Sequence, residues 1–318
     1  MPDQAWADRL SWAGGLAMGF FSSLFVLTVL RDILLLIADT SVLDQPTAVG
    51  VVALAALFSV VGYFNARRIA RVVAVDVPLR GLPKALEGFS IVQLSDIHVG
   101  PTIKRDYVQA IVDRVNALNA DLVVITGDLV DGSVEQLAAD VLPLASLRSR
   151  YGTYVVLGNH EYYSGAEAWA AEFERIGLHG LHNRHAVLGA GDGQFVLAGV
   201  TDYSAGAFDP AQASDPVRAL AGSPSGVPRI LLAHQPRSAE TAAAAGADLQ
   251  LSGHTHGGQF WPWGFFVPLQ QPFTAGLRRL GNLSIYVSRG TGYWGPPKRF
   301  RAPSEITHLR LVRADAWV

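Results

Sequence analysis

From Leu10 to Leu30 the chain reads LSWAGGLAMGFFSSLFVLTVL without a charge, and from Gln45 to Ala66 it reads QPTAVGVVALAALFSVVGYFNA, again without one. Each run is long enough to cross a hydrocarbon core roughly 30 Å thick as a helix. Both are apolar all round rather than on one face, which favours two transmembrane helices over a hairpin buried in a soluble core. A cleaved signal peptide does not fit. The start carries Asp3, Asp8 and Arg9 instead of a basic leader, and a second apolar run follows.

Charge placement orients the pair. Arg67, Arg68 and Arg71 follow the second run directly, whereas the connection between the runs holds Asp39 and Asp44. The positive-inside rule then puts both termini, and everything beyond Arg71, on the cytoplasmic side. Arg31 and Asp32 interrupt the apolar sequence before ILLLIA and read as an ion pair at the membrane interface rather than within it.

The whole chain has 25 basic and 27 acidic residues, of which residues 1–75 hold five of each, leaving 20 against 22. That balance supplies no electrostatic footprint for duplex nucleic acid. The absence of cysteine excludes disulfides, thiolate nucleophiles and sulfur-ligated metal sites. Any metal must be held by His, Asp, Glu or Asn.

Residues 72–88, with two prolines and two glycines, read as a linker plus an edge strand. Short β-rich runs follow: SIVQL, DLVVIT, TYVVLG, FVLAGV, RILLA, DLQLSG, LSIYVS and ITHLRLV. Between the first two, Val108, Ile111, Val112, Val115 and Leu118 recur at helical spacing. Ser133 with Gln136, and Ser164 with Glu167, fit capping boxes, and Gly177 suits the end of the second of these helices. An Ala-rich helix is expected near 239–245.

The polar residues fall at the ends of these runs. SIVQL leads into Asp96 and His98, DLVVIT into Gly127-Asp128 and Asp131, TYVVL into Gly158-Asn159-His160-Glu161, RILLA into His234, and DLQLS into Gly253-His254-Thr255-His256. In open α/β sheets, sites form outside the carboxyl ends of strands, so five such turns can share one crevice. Asp96 and His98 are two apart and can face one ion from an extended segment. The glycines before Asp128, Asn159 and His254 allow sharp turns. Any one of these motifs alone would mark only a turn. Five in this order point to metal ligands, His254 and His256 among them.

The set D-x-H, G-D-x-x-D, G-N-H-E, H and G-H-x-H resembles the calcineurin-like metallophosphoesterases, from about Phe89 to Leu311. The resemblance implies a four-layer αββα sandwich binding two divalent ions, preceded here by the two transmembrane helices. It divides the chain into an anchor (1–71), the linker and edge strand (72–88) and a metallophosphoesterase domain (89–318). In the family pattern Asp96, His98, Asp128 and His256 hold the first ion, and Asp128, Asn159, His234 and His254 the second, with Asp128 bridging. Two cations about 3.5–4 Å apart activate water and accept the oxygens of an in-line phosphoryl displacement. His160 is assigned to proton donation or charge stabilisation at the leaving oxygen, with a purely structural role as the alternative. Asp131 is read as orienting a histidine ligand. Manganese is expected from the resemblance, with iron or zinc also suited to these donors.

LHGLHNRH (178–185) lacks a preceding strand and reads as an exposed, variable segment rather than a metal site, and His308 reads as structural. The aromatic, Pro-rich stretches GGQFWPWGFFVPLQQPF and SRGTGYWGPPKRF leave two readings open. One is a rigid lid. The other is a site for an amphiphile, with Trp294 at headgroup level and Arg289, Lys298 and Arg299 for phosphate. The strings G-H-T-H-G-G-Q and G-T-G-Y-W-G-P-P resemble the membrane-attached subgroup that includes UDP-2,3-diacylglucosamine diphosphatases of lipid A synthesis and broad phosphodiesterases. This implies an inner-membrane bacterial enzyme with an amphiphilic phosphoester substrate and the lipid bilayer as partner. Its competitors are a membrane-tethered scaffold, which the intact ligand set opposes, and a nuclease, which would show a basic groove.

Overall fold

The computed structural model describes residues 2–38 and 44–314, so Asp39 and residues 315–318 fall outside the described residues. The chain begins with two long helices, α1 (Pro2–Ala38) and α2 (Asp44–Arg67), both apolar enough to be candidate membrane spans. Helix α1 does not break at Arg31. The guanidinium there donates to Asp32 Oδ1 at 2.6 Å, to Thr47 Oγ1 at 2.9 Å and to the Asp44 carbonyl at 2.7 Å, tying α1 to the first turn of α2.

The strands form two six-stranded sheets. β1 (Arg71–Leu79), β2 (Ser90–Leu94), β3 (Leu122–Thr126), β4 (Thr153–Val156) and β5 (His179–Gly180) belong to the first. β6 (Arg184–Leu188), β7 (Phe195–Gly199), β8 (Arg229–Leu232), β9 (Leu249–Ser252), β10 (Gly276–Leu280) and β11 (Leu283–Val287) make the second. β12 (Glu305–Arg313) then returns to the first sheet, whose order is β1-β12-β2-β3-β4-β5, against β10-β11-β9-β8-β7-β6 in the second.

Alternation along the strands builds the layers. Ile91, Leu122, Val124 and Val156 face Leu197, Ile230, Leu232 and Leu251 in a core between the sheets. On the opposite face of the first sheet, Val92, Val123 and Ile125 pack under α3 (Arg105–Asn116), α4 (Val134–Val141) and, after the short α5 (Asn159–Ser164), α6 (Ala166–Arg175). Val196, Ala198 and Leu231 of the second sheet lie under α7 (Pro216–Leu220) and α8 (Ala239–Ala244). The result is the expected αββα stack. It is held by wholly buried aliphatic side chains such as Ile111 and Val112 on α3, each contributing about 1.5–3 kcal/mol on burial.

Three local expectations need correction. The Ser133–Gln136 capping box is present, but Ser164 closes α5 and the residue before α6 is Gly165, so Ser164 caps nothing. Glu161, not Glu167, makes the reach-back bond, accepting from the Gly158 N–H, with no side chain on Gly158 to return it. Residues 178–185 are not a free exposed segment, because they supply β5 and the start of β6 at the rims of the two sheets. Buried Leu178 and Leu181 anchor them, and two-residue β5 is too short to show a period.

The anchor helices pack directly on the sandwich. Lys298 is almost wholly buried, and its Nζ donates to the Gly19 carbonyl at 2.7 Å, Ser23 Oγ at 2.6 Å and Ser59 Oγ at 3.1 Å. Phe58 of α2 stacks on Phe300 with centroids 4.3 Å apart. Small residues permit this approach, since a Cβ at Gly62 would stand 2.6 Å from Lys298 Cγ.

Candidate metal centre

Each sequence-predicted ligand follows a strand end, and the two sheets bring all seven together. Asp96 and His98 come from the turn after β2, Asp128 after β3, Asn159 after β4, His234 after β8, and His254 and His256 after β9. Five of them, Asp96, His98, Asp128, His254 and His256, hold left-handed backbone with φ between 51° and 70°. That conformation is uncommon outside glycine, and its concentration at one cluster marks a site whose surroundings over-determine the backbone.

The glycines preceding the ligands serve two different needs. Gly127 has φ of 88°, and a Cβ there would meet Gly158 N at 2.6 Å and His234 Nδ1 at 2.7 Å. Gly158 is extended, with φ −100° and ψ −177°, so the turn expected of it is absent. What Gly158 and Gly253 provide is room, because side chains there would strike Asp128 and the Ser95–Asp96 pair respectively.

Two groups of ligand atoms lie side by side. Asp96, His98 and His256 form one, and Asp128, His234 and His254 the other, with the atoms of each within 4.8 Å of one another. His98 Nε2 and His256 Nε2 are 3.0 Å apart, and His256 Nε2 is 3.4 Å from Asp96 Oδ1. In the second group His234 Nε2 lies 3.1 Å from Asp128 Oδ2, 3.2 Å from Asn159 Oδ1 and 3.2 Å from His254 Nδ1. Asp128 Oδ2 is also 3.9 Å from His98 Nε2, so this carboxylate stands between the groups.

The hydrogen bonds behind the ligands aim them. His234 Nδ1 donates to the Thr126 carbonyl at 2.7 Å, which turns Nε2 toward Asp128. Asp131 Oδ1 lies 2.9 Å from His98 Nδ1 and 2.6 Å from His160 Nδ1, so it orients two histidines rather than the one expected. Buried carboxylates and imidazoles in one pocket adjust each other's protonation. Burial alone would lower His98, but Asp131, Asp128 and Asp96 raise it to about 9. Burial would raise Asp128, yet His234, His98 and His160 hold it well below the ordinary carboxylate range. Burial, with His234 alongside, pushes His254 down to about 3, and burial with Arg299 pushes His256 well below the ordinary imidazole range, so both are neutral donors. Oxygen and imidazole donors without sulfur fit divalent ions.

Sequence reasoning gave no role to Glu161. Its buried carboxylate accepts four backbone N–H bonds, from Leu129 (2.6 Å), Gly158 (2.7 Å), Asp128 (3.0 Å) and Val130 (3.1 Å), and so clamps the Asp128 turn to the Asn159 turn. The G-N-H-E spacing, read as a capping box with Glu at the third helical position, was the available signal.

The centre opens into a cleft of ≈ 720 Å³ lined by ligands, by His160, Tyr163 and Trp294, and by Met18, Phe21, Ser22 and Phe25 of α1. Trp294 lines this cleft. The three cations do not, and this is a correction. Arg289 is paired with Glu305 at 3.0 Å, Lys298 is turned into the anchor helices, and Arg299 is fully buried against the carbonyls of His256, Gly292 and Ala302. None is among the residues lining the cleft. The acceptors of Lys298 lie more than two hundred residues earlier, on α1 and α2, which local sequence does not show.

Residues 89–258 match the calcineurin-like phosphoesterase family, and the chain belongs to it. A transmembrane protein with metallophosphoesterase domain from Danio rerio is 41% identical over 267 residues, 81% of this chain and 61% of that protein. An uncharacterized metallophosphoesterase of Helicobacter pylori strain J99 is 42% identical over 73% of this chain and 62% of its own length. One from Aquifex aeolicus is 32% identical over 76% of this chain and 91% of that protein. The chain thus spans about three-fifths of the first two relatives.

Proposed function

We propose that this chain is a membrane-anchored, dinuclear metal-dependent phosphoesterase that cleaves a phosphodiester or pyrophosphate bond of a lipid-linked substrate, with UDP-2,3-diacylglucosamine as the instance to test. One observation carries the reading: the ligand cluster and the apolar side chains of α1 line the same cleft. A substrate reaching the ligands passes Phe21 and Phe25, which suits a hydrocarbon tail. The anchor is residues 1–71, joined through 72–88 to the catalytic unit of 89–318. The arginines after α2 favour the cytoplasmic face of a bacterial inner membrane.

Two divalent ions bound by the seven ligands, manganese being the expected species, would polarise water for attack and neutralise the phosphoryl oxygens. The protein's own groups then divide the remaining work. Asp128 shares its carboxylate between the two ligand groups and is fixed by the His160 N–H at 2.9 Å. His160 is partly exposed at the cleft, with Asp131 holding Nδ1 and Nε2 standing 4.0 Å from Asp128 Oδ2. That placement suits proton delivery to the departing oxygen, since Asp131 fixes the ring with Nε2 turned toward the cleft.

The test is hydrolysis by detergent-solubilised full chain with added manganese, comparing UDP-2,3-diacylglucosamine with bis-p-nitrophenyl phosphate and using Asp128→Asn as control. Lipid preference lost in the control is the expected result. Equal slow cleavage of both compounds would remove the lipid substrate, and activity surviving in Asp128→Asn would remove the metal mechanism.

A further inference from the structure

The helices and the aromatic loop share one depth. Among the described residues, α1 runs past its Phe25 contact with the cleft only from 26 to 38, about 20 Å of helix even with the Arg31–Asp32 pair counted, and less with that pair at the interface. α2 offers about 21 Å between its start and Phe58, which packs on Trp261 and Phe300. Neither length crosses a hydrocarbon core of roughly 30 Å. At least about 10 Å more of a spanning α1, and about 10 Å more of α2, must therefore lie in the apolar layer, and in α1 that length includes Phe21 and Ser22. Ser22 Oγ accepts a hydrogen bond from Trp263 Nε1 at 2.9 Å, so the loop around Trp263 lies at the same level.

This loop is built for such a place. No charge occurs from Gly257 to Leu277. Phe265 is 75% exposed and Leu269 81%, with Phe266 and Trp263 also open to the surroundings. Consecutive tight turns pair much of its backbone: the N–H of Phe265 donates to the Pro262 carbonyl, Phe266 to Trp263, Leu269 to Phe266 and Gln270 to Val267, all at 2.9–3.1 Å. Non-helical backbone meets an apolar phase only when its polar groups are paired in this way.

We propose that residues 261–271 are a membrane-inserted loop that sinks the rim of the cleft into the leaflet facing the catalytic unit, so that the cleft opens at headgroup level. The partner is the lipid bilayer itself. The inference rests on α1 and α2 spanning that bilayer, but not on the chemistry of the metal centre. Scattered exposed apolar residues would need no explanation; these four occur together on one uncharged loop beside two candidate spans.

The chain has no cysteine, so single labels can be placed in the full protein without background. Phe265→Cys, Leu269→Cys, Val29→Cys in α1 and Glu240→Cys on α8 are each labelled with a nitrobenzoxadiazole dye and reconstituted into phosphatidylcholine–phosphatidylglycerol vesicles. Quenching by brominated phospholipid is compared with quenching by aqueous iodide on permeabilised vesicles. Labels at 265 and 269 are expected to match 29, quenched by bromolipid and shielded from iodide, while 240 shows the reverse. Labels at 265 and 269 that behave like 240 while 29 is shielded would overturn the inserted loop. Iodide access at 29 as well would overturn it together with the spans beneath it.

Discussion

Replacing Glu161 by Gln changes one oxygen to an amide nitrogen and almost nothing else in volume, yet the site contains only donors. Oε1 faces the N–H groups of Leu129 and Val130, and Oε2 those of Asp128 and Gly158. Whichever way the amide is placed, its NH2 confronts two backbone N–H groups that then lack an acceptor in a wholly buried setting. At about 1–3 kcal/mol for each stranded donor, the substitution costs about 2–6 kcal/mol. The strain falls on the turn that holds Asp128. Loss of a residue that positions a metal ligand weakens binding 10–100-fold, about 1.4–2.8 kcal/mol, so the remainder appears as lower thermal stability. Manganese titration by calorimetry and thermal unfolding of the solubilised full chain, with exposed Glu167→Gln as control, measure the two parts. Unchanged affinity and unchanged unfolding temperature in Glu161→Gln would refute the argument.

His160→Ala should lower kcat about 10²–10⁴-fold with manganese affinity nearly intact, measured by steady-state kinetics beside calorimetry. Equal losses in both would make it a structural residue. Lys298→Met should leave KM for bis-p-nitrophenyl phosphate unchanged, because Nζ is bonded to Gly19, Ser23 and Ser59 rather than facing the cleft. It should instead shift thermal stability through the helix contact, and a raised KM would restore Lys298 as a phosphate ligand. Chelation should remove about 2.7 kcal/mol of stability for each ion previously present at a hundred times its dissociation constant, seen as a lower unfolding temperature that added manganese reverses.

The convergence of the seven candidate ligands was legible because each follows directly from a local pattern, a short apolar run ending in Asp, His or Asn. The family pattern supplied their grouping. Strand-end position survives folding, since the sheet carries the residue with it. Arg289, Lys298 and Arg299 had no such guide. They neighbour the cleft in sequence, but the acceptors that hold Lys298 lie on helices more than two hundred residues earlier in the chain, and Arg289 is taken by Glu305. Residues 178–185 were misread for a related reason, because a two-residue strand takes its pairing from β4 rather than from its own periodicity.

By itself the sequence determined two long apolar runs, the alternating runs of the sandwich and the seven candidate donors at strand ends, all of which depend on residue spacing along a few turns or one strand. Only the tertiary structure decided that Glu161 clamps two ligand turns, that Asp131 serves two histidines, and that α1 forms a wall of the cleft. Those outcomes depend on which distant surfaces meet: small residues such as Gly19 and Gly62 let the helices close onto the sandwich, and nothing in local spacing states which partner they admit.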